Sequence, residues 1–307
     1  MAGAIYEFFG YRSEDSSDEA LQYPSTYDCP FLEAACDKHL SNGDPSGACA
    51  IKPQTSEPVI CCPTRIYADN YRILHHIAEQ AWGPDQVLVP GYDARMEAIT
   101  RRRQIVAVFG KRWGRELRLP KKDGHGNYFV DWILALVGAS GSLEEFIALE
   151  VQTVDTTGNY QHGRSALLCE DRRLVKTSVG INWENVSKRI IPQLVYKGQL
   201  LQRESLAKKG IFFVCPKPVF DRILSRLGGR EALPGYPAQH GSITFIAYDY
   251  DPSANMADGT IVPLAVVDSL STTVERLQRA FNDVTLQDAN VYQAAIEAAL
   301  GNLPSQS

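Results

Sequence analysis

Hydrophobic positions along the chain alternate with polar ones, or form short runs, in seven segments. This pattern predicts β-strands. The segments are residues 87–92, 104–111, 129–138, 146–155, 211–215, 242–251 and 261–270. The segment 129–138 is also compatible with a mixed strand and helix. The sequence FIALEVQTVD at 146–155 has the clearest strand pattern.

Other segments repeat their apolar residues at helical spacing. The clearest runs from 69 to 82, where apolar residues recur between Tyr71 and Ala81 and a Gly-Pro pair follows. Further helices are predicted over 185–209, 218–229, 272–282 and 287–300, whereas residues 1–28 read as polar and extended. Strands mixed with helices predict an α/β (α+β) fold, in which helices flank a mixed central β-sheet.

The composition is that of an ordinary globular protein. Of 307 residues, 44% are hydrophobic and 22% are charged. The sequence contains no run of 18 apolar residues, so it predicts no membrane span. The first twenty residues become acidic quickly and lack the basic start of a secretory signal, so we expect a cytoplasmic protein.

The net charge of −5 argues mildly against a nucleic-acid partner, but the charges are unevenly distributed. Residues 95–122 contain ten basic residues and only two acidic ones. This stretch is either a solvated basic face or a surface that contacts DNA phosphates.

Five of the seven cysteines lie between Cys29 and Cys62, in a segment rich in Pro, Gly and Ser. Four thiolates in a loop-rich segment suit a tetrahedral metal site, with either zinc or iron. Disulfides are the competing interpretation. The candidate ligands are Cys29, Cys36, Cys49 and Cys62, with Cys61 as an alternative fourth ligand. We therefore divide the chain into a metal-binding region, 1–68, and a core, 69–307.

Two acids and an amide form a second candidate site. On the strand 146–155, Glu150 and Gln152 point to the same face because side chains alternate. Asp131 lies within an apolar run, where an unpaired carboxylate is costly. Carboxylates that converge from neighbouring strands suit a magnesium ion, which can activate water against a phosphodiester. The alternative is that Glu150 and Gln152 face solvent on a half-exposed strand.

Three segments together resemble one known family. The sequence EVQTVDTTGNY from Glu150 to Tyr160, the spaced N-terminal cysteines and the segment GRELRLP around Glu116 are similar to NotI-like type II restriction endonucleases. These enzymes are a branch of the PD-(D/E)XK nucleases in which glutamine replaces the usual lysine. The resemblance covers roughly residues 23–165, and we match little with this family after Leu168.

The resemblance implies a PD-(D/E)XK core and assigns roles to these residues. Asp131 and Glu150 would bind Mg²⁺, Gln152 would orient the attacking water or the phosphate, and Glu116 would assist as a further acid. The four cysteines would hold a structural iron, although the adjacent Cys61 and Cys62 leave the fourth ligand open. The enzyme would be a homodimer acting on double-stranded DNA at a GC-rich palindrome such as CGGCCG or GCGGCCGC.

Reading G·C pairs requires donors to guanine, which arginine supplies. The candidate DNA-binding residues are Arg101, Arg102, Arg103, Arg112, Arg115, Arg118 and Arg164. Three rival functions remain: a DNA-binding protein with a structural metal and no cleavage, a repair nuclease without sequence specificity, and an unrelated metabolic enzyme. No Gly-rich phosphate loop or HExxH motif in the sequence favours the last of these.

Overall fold

The computed structural model describes residues 3–32, 34–117, 129–169, 171–283 and 288–301. Its strands are β1 (Ala4–Phe8), β2 (Tyr11–Arg12), β3 (Asp28–Cys29), β4 (Ala34–Ala35), β5 (Ala48–Lys52), β6 (Val59–Ile60), β7 (Leu88–Pro90), β8 (Ile105–Gly110), β9 (Trp132–Val137), β10 (Leu143–Val151), β11 (Thr156–Thr157), β12 (Gly180–Ile181), β13 (Ile211–Cys215), β14 (Ser242–Tyr250) and β15 (Leu264–Thr273). Its α-helices are α1 (Asp18–Thr26), α2 (Pro63–Ile66), α3 (Ala68–Trp82), α4 (Ala94–Arg101), α5 (Gln161–Leu168), α6 (Ile191–Leu201), α7 (Lys217–Arg226), α8 (Val274–Asn282) and α9 (Val291–Gly301).

A seven-stranded mixed sheet forms the centre of the fold. Its strand order is β15-β14-β13-β10-β9-β8-β7. Strands β8, β9 and β10 form an antiparallel meander, and β13 and β14 then run parallel to β10. All seven predicted strands belong to this sheet, and the segment 129–138 is a strand. The predicted mixed central sheet flanked by helices is therefore confirmed.

Helices cover both faces of this sheet. Helix α3 packs its apolar side, including Ile73 and Ile77, against the set Ile147, Leu149 and Val151 of β10. The opposite face of β10 and β13, including Ala148 and Phe213, packs against α6, α7 and α8. Because both faces are covered, β10 is buried along most of its length, as expected of a central strand.

Some predicted boundaries change in the structure. The predicted helix over 69–82 forms as α3, but Asp69, Asn70 and Tyr71 have left-handed backbone angles, so regular helix begins after them. The predicted long helix over 185–209 is a π-helical segment, Val186–Ile190, followed by α6, which ends at Leu201. Turns and irregular backbone follow as far as Gly210, where the chain enters β13.

The prediction of a polar, extended start was wrong. Residues 4–8 form β1, which lies inside a four-stranded sheet of order β2-β1-β5-β6, and Asp18–Thr26 form α1. Ile5 and Phe8 are buried in this sheet. Their burial depends on pairing with β5, about forty-five residues away, and local composition does not reveal such pairing.

A buried ion pair connects the N-terminal sheet to the central sheet. Arg65 of α2 and Glu7 of β1 are 0% and 2% exposed, and Nε lies 2.6 Å from Oε1. Tyr250, at the end of β14, donates a hydrogen bond of 2.7 Å to the other oxygen of Glu7. Arg65 also donates to the carbonyl oxygen of Val262. These contacts fix the cysteine-containing segment against the sheet.

Candidate active site

Asp131 and Glu150 meet where β9 begins and β10 ends. The antiparallel register pairs Ala148 with Ile133 and Leu149 with Trp132, and its continuation places Asp131 opposite Glu150. Directly opposed residues point to the same side of a sheet. A carboxylate oxygen of Asp131 also accepts a hydrogen bond of 2.8 Å from the backbone N–H of Val151. The two predicted acids therefore lie side by side.

The surroundings of the two carboxylates disfavour their negative charges. Burial, followed by the charge of Asp131, raises the pKa of Glu150 to about 7. Burial also raises the pKa of Asp131, although its hydrogen bond from Val151 acts in the opposite direction. Glu150 is only 9% exposed, and its Oε2 atom has no hydrogen-bond partner among the described residues. A cation bound at this pair would relieve both costs.

A cavity of about 760 Å³ lies beside Asp131. Asp131 and Glu116 line it, and the charge of Glu116 contributes to the raised pKa of Asp131. The structure thus places Glu116, the third predicted acid, on the same cavity wall as Asp131. Most of the remaining wall is apolar and comes from β8, β9, β10, α4 and α6. An apolar wall limits water access and strengthens electrostatic interactions at the acids.

Lys197 is a site residue that the sequence analysis missed. It projects from α6, lines the same cavity, and its Nζ atom forms an ion pair with Oε1 of Glu150. Its charge favours the ionised form of both Glu150 and Asp131. The available signal was a lysine at helical spacing from Leu194 and Leu201, on the side of α6 that faces the protein.

Gln152 has a different environment. Its backbone N–H bonds the carbonyl of Val214 at 2.9 Å, and its side-chain amide donates to the carbonyl of Thr153 at 3.0 Å. The side chain lines a separate small cleft together with Asp155 and Arg189. The structure therefore places Asp131 beside Glu150 and on the same cavity wall as Glu116, whereas the Gln152 amide is directed to its neighbour's carbonyl.

Asp131 and Glu150 supply two carboxylates, which are suitable ligands for a hard divalent cation. In the described part of the chain, no three His, Cys, Asp or Glu side chains stand close enough to form a ready metal site. Mg²⁺ does not require such a cage, because it typically binds one or two carboxylates and completes its shell with water and substrate phosphate. The unpartnered oxygen of Glu150 supplies a free ligand position.

The N-terminal cysteines lie on neighbouring segments. Cys29 is in β3, and the backbone N–H of Cys36 bonds Tyr27, just before β3. The carbonyl of Cys49 in β5 accepts hydrogen bonds from both Cys61, at 2.9 Å, and Cys62, at 3.2 Å. All five thiols are buried and free, so they form no disulfides with one another.

Electrostatic coupling links these thiols, Cys61 included, since burial and, to a smaller extent, the charge of Cys61 raise the pKa of Cys62. Burial and, to a smaller extent, the charges of Cys62 and Cys36 raise the pKa of Cys29 to about 12. Burial also raises the pKa of Cys49, as do the charges of Cys62 and Cys29. The Cys61 sulfur instead accepts a hydrogen bond of 3.2 Å from Lys38. This arrangement favours Cys62 over Cys61 as the fourth member of the group.

The candidate DNA-binding arginines have different environments. Arg101 pairs with Glu97 on α4, and Arg103 bonds the carbonyl of Asp85, whereas Arg102 is exposed. Arg112 pairs with Asp37 beside the cysteine segment, and Arg115 lies over the ring of Tyr92. Arg118 lies outside the described residues.

Arg164 is not a surface residue. It is 5% exposed, and its Nε atom donates a hydrogen bond of 2.7 Å to the carbonyl of Pro45. The expectation that Arg164 contacts DNA is therefore wrong. A buried guanidinium needs carbonyl or carboxylate partners. The hydrogen bond to Pro45 meets this need and holds the loop between Cys36 and Cys49 against α5.

Comparison with models of known protein families gives no match, and no curated protein matches the sequence significantly. Within the described residues, no helix is long and apolar enough to cross a membrane.

Proposed function

We propose that this protein is a Mg²⁺-dependent type II restriction endonuclease with a PD-(D/E)XK core that hydrolyses double-stranded DNA at a GC-rich palindrome. The supporting observation is the opposition of Asp131 and Glu150 across β9 and β10, where Asp131 lines a cavity together with Glu116. The two opposed acids are the residues to which the resemblance to NotI-like enzymes assigns Mg²⁺ binding. This agreement makes a nuclease the best-supported function.

In the proposed mechanism, Asp131 and Glu150 would hold the cation through their carboxylate oxygens. The backbone N–H of Val151 fixes one oxygen of Asp131 and leaves the rest of the carboxylate for a ligand. A bound Mg²⁺ would polarise the phosphodiester and lower the pKa of coordinated water. Glu116, which is exposed at the cavity, can accept a proton from an incoming water or bind it by a hydrogen bond.

Gln152 has no group that can act as a base, so its proposed contribution is orientation of the water or the phosphate. Its amide would have to leave the carbonyl of Thr153 in order to reach a substrate at the acid pair. The backbone bond to Val214 fixes the position of the residue, and only the side chain needs to rotate.

The proposed structural metal is iron or zinc, held by Cys29, Cys36, Cys49 and Cys62. Four buried, free thiols match the donor set that either metal accepts. The described thiols do not form a ready metal site, so metal binding would require them to move closer together. The metal would then stabilise a segment with little apolar core of its own.

The proposed partners are double-stranded DNA and a second copy of the chain. A two-fold symmetric dimer would present one acid pair to each strand of a palindrome. The exposed basic residues of α4 and the chain after it, including Arg101 and Arg102, supply positive charge for phosphate contacts.

The direct test is digestion of plasmid and bacteriophage DNA with purified protein and MgCl₂, followed by sequencing of the ends. We expect discrete fragments whose ends share one GC-rich palindrome, and no cutting in EDTA. Random degradation would instead support a repair nuclease without specificity. DNA that is retarded in a gel yet remains intact would support a binding protein.

A further inference from the structure

The strand position that holds lysine in most PD-(D/E)XK nucleases is Gln152 here, and its amide is directed away from the acids. It donates to the carbonyl of Thr153, and the residue lines a cleft separate from the cavity of Asp131 and Glu116. As arranged, this strand brings no positive charge to the carboxylates.

Helix α6 brings that charge from another part of the chain. Nζ of Lys197 contacts Oε1 of Glu150, and the two side chains are only 13% and 12% exposed. The ammonium also lines the cavity that contains Asp131 and Glu116. Little solvent screens the Lys197 ammonium in this position. Its positive charge therefore acts strongly on negative charge near the acids.

The position of Lys197 is fixed by close packing of α6 on the sheet. The neighbouring residue is Gly198, and a Cβ atom there would come within 2.6 Å of a methyl carbon of Val274. Leu194, one turn earlier, is 1% exposed in the core formed with β13 and β14. The helix therefore presents the lysine from a rigid support, which a preorganised electrostatic group requires.

We propose that Lys197 is a catalytic residue that binds the scissile phosphate and supplies the positive charge that Gln152 does not. This proposal rests on the proposed nuclease function. In the metal-free protein, Lys197 is the counter-ion of Glu150. With the charges of Asp131 and Glu150 balanced by a divalent cation, Nζ of Lys197 would be free to donate hydrogen bonds to a phosphate oxygen at the cavity.

The balanced reaction is an ordinary hydrolysis. A water oxygen bonds to phosphorus while the bond from phosphorus to one sugar oxygen breaks, and no electrons are exchanged. The proton from water passes to Glu116 or to solvent, and the departing sugar oxygen takes a proton from solvent. Lys197 keeps its protons throughout and stabilises negative charge on the phosphate oxygens, which is greatest in the transition state.

The test compares Lys197→Met with Lys188→Met, a matched control just before α6 whose lysine forms an exposed pair with Glu184. The measurements are single-turnover cutting of plasmid DNA at saturating MgCl₂, and Mg²⁺ affinity by calorimetry. We expect Lys197→Met to cut at least about 100-fold more slowly with Mg²⁺ affinity kept or increased, whereas Lys188→Met cuts like the unmodified protein.

A second variant, Lys197→Arg, keeps the charge beside Glu150 in case the methionine variant does not fold. We expect it to cut at least about tenfold more slowly, because a planar guanidinium cannot replace a compact ammonium in a tightly enclosed site. Unchanged cutting by the folded variants overturns the role of Lys197 alone. Loss of Mg²⁺ binding in Lys197→Met also overturns it, since Lys197 would then only support the metal site. If the unmodified protein cuts no DNA, the proposed function itself fails.

Discussion

Asp131 lies directly opposite Glu150 across β9 and β10, and its carboxylate is held by the backbone N–H of Val151, the residue next to Glu150. This bond ties the orientation of one acid to the strand that contains the other. A cation that binds both carboxylates would therefore meet a pair whose geometry is set by the backbone. Such preorganisation lowers the cost of assembling the site for each turnover.

Replacing Glu150 with alanine should abolish DNA cutting. The change removes one of the two proposed Mg²⁺ ligands but no exposed basic residue, so we expect cutting to fall at least about 100-fold while DNA affinity stays within a few-fold. Plasmid cleavage and gel retardation in CaCl₂ measure the two effects. Glu144→Gln is the control, since Glu144 is on the same strand and bonds Gln104. Full activity in Glu150→Ala would contradict the proposed site.

Mg²⁺ binding should strengthen as pH rises towards 7. Burial and Asp131 raise the pKa of Glu150 to about 7, so below that pH a proton competes with the cation. We expect affinity to increase by up to about tenfold per pH unit between pH 5.5 and 7, and to level off above. Calorimetry in buffers of different ionisation enthalpy would also detect the released proton. An affinity that does not vary over this range would refute the assignment.

Without Mg²⁺, the raised pKa of Glu150 should make the folded protein less stable as pH rises. Because the folded-state pKa of Glu150 is above its ordinary value of 4.5, this group favours folding most below that value. Its contribution is lost as pH rises through about 7. Saturating MgCl₂ should reverse the trend, since the cation binds the ionised form in the folded state.

Two neighbouring cysteines should differ in their effect on metal content. We expect Cys49→Ser and Cys62→Ser to lose the proposed iron or zinc, because each removes one of the four proposed ligands. Cys61→Ser should retain it, since the Cys61 sulfur accepts a hydrogen bond from Lys38. Elemental analysis of the purified proteins measures this, with the exposed Cys169→Ser as control. Metal loss in Cys61→Ser but not in Cys62→Ser would reverse the ligand assignment.

Breaking the buried ion pair should destabilise the fold. Arg65→Met leaves Glu7 buried and without its cation, so we expect the free energy of unfolding to fall by about 3–5 kcal/mol. Urea denaturation followed by fluorescence measures the loss. Lys188→Met, which removes an exposed pair, should leave the unfolding midpoint unchanged. A loss in Arg65→Met no larger than in this control would show that the pair contributes little.

The sequence by itself determined the local features of this protein. Apolar alternation or short apolar runs identified all seven strands of the central sheet, because both patterns depend only on neighbouring residues. The same rule put Ile147, Leu149 and Val151 on one face of β10, where they pack against α3. Helix α3 was equally clear, since its apolar residues recur at helical spacing along its fifteen residues.

Only the tertiary structure decided which distant residues meet. The register of β9 against β10 sets Asp131 opposite Glu150, and the packing of α6 brings in Lys197 from forty-seven positions away. Burial likewise removed Arg164 from the candidate DNA contacts, and pairing with β5 made residues 4–8 a strand. These outcomes depend on contacts between segments far apart in the chain, and such contacts leave no period in the local sequence.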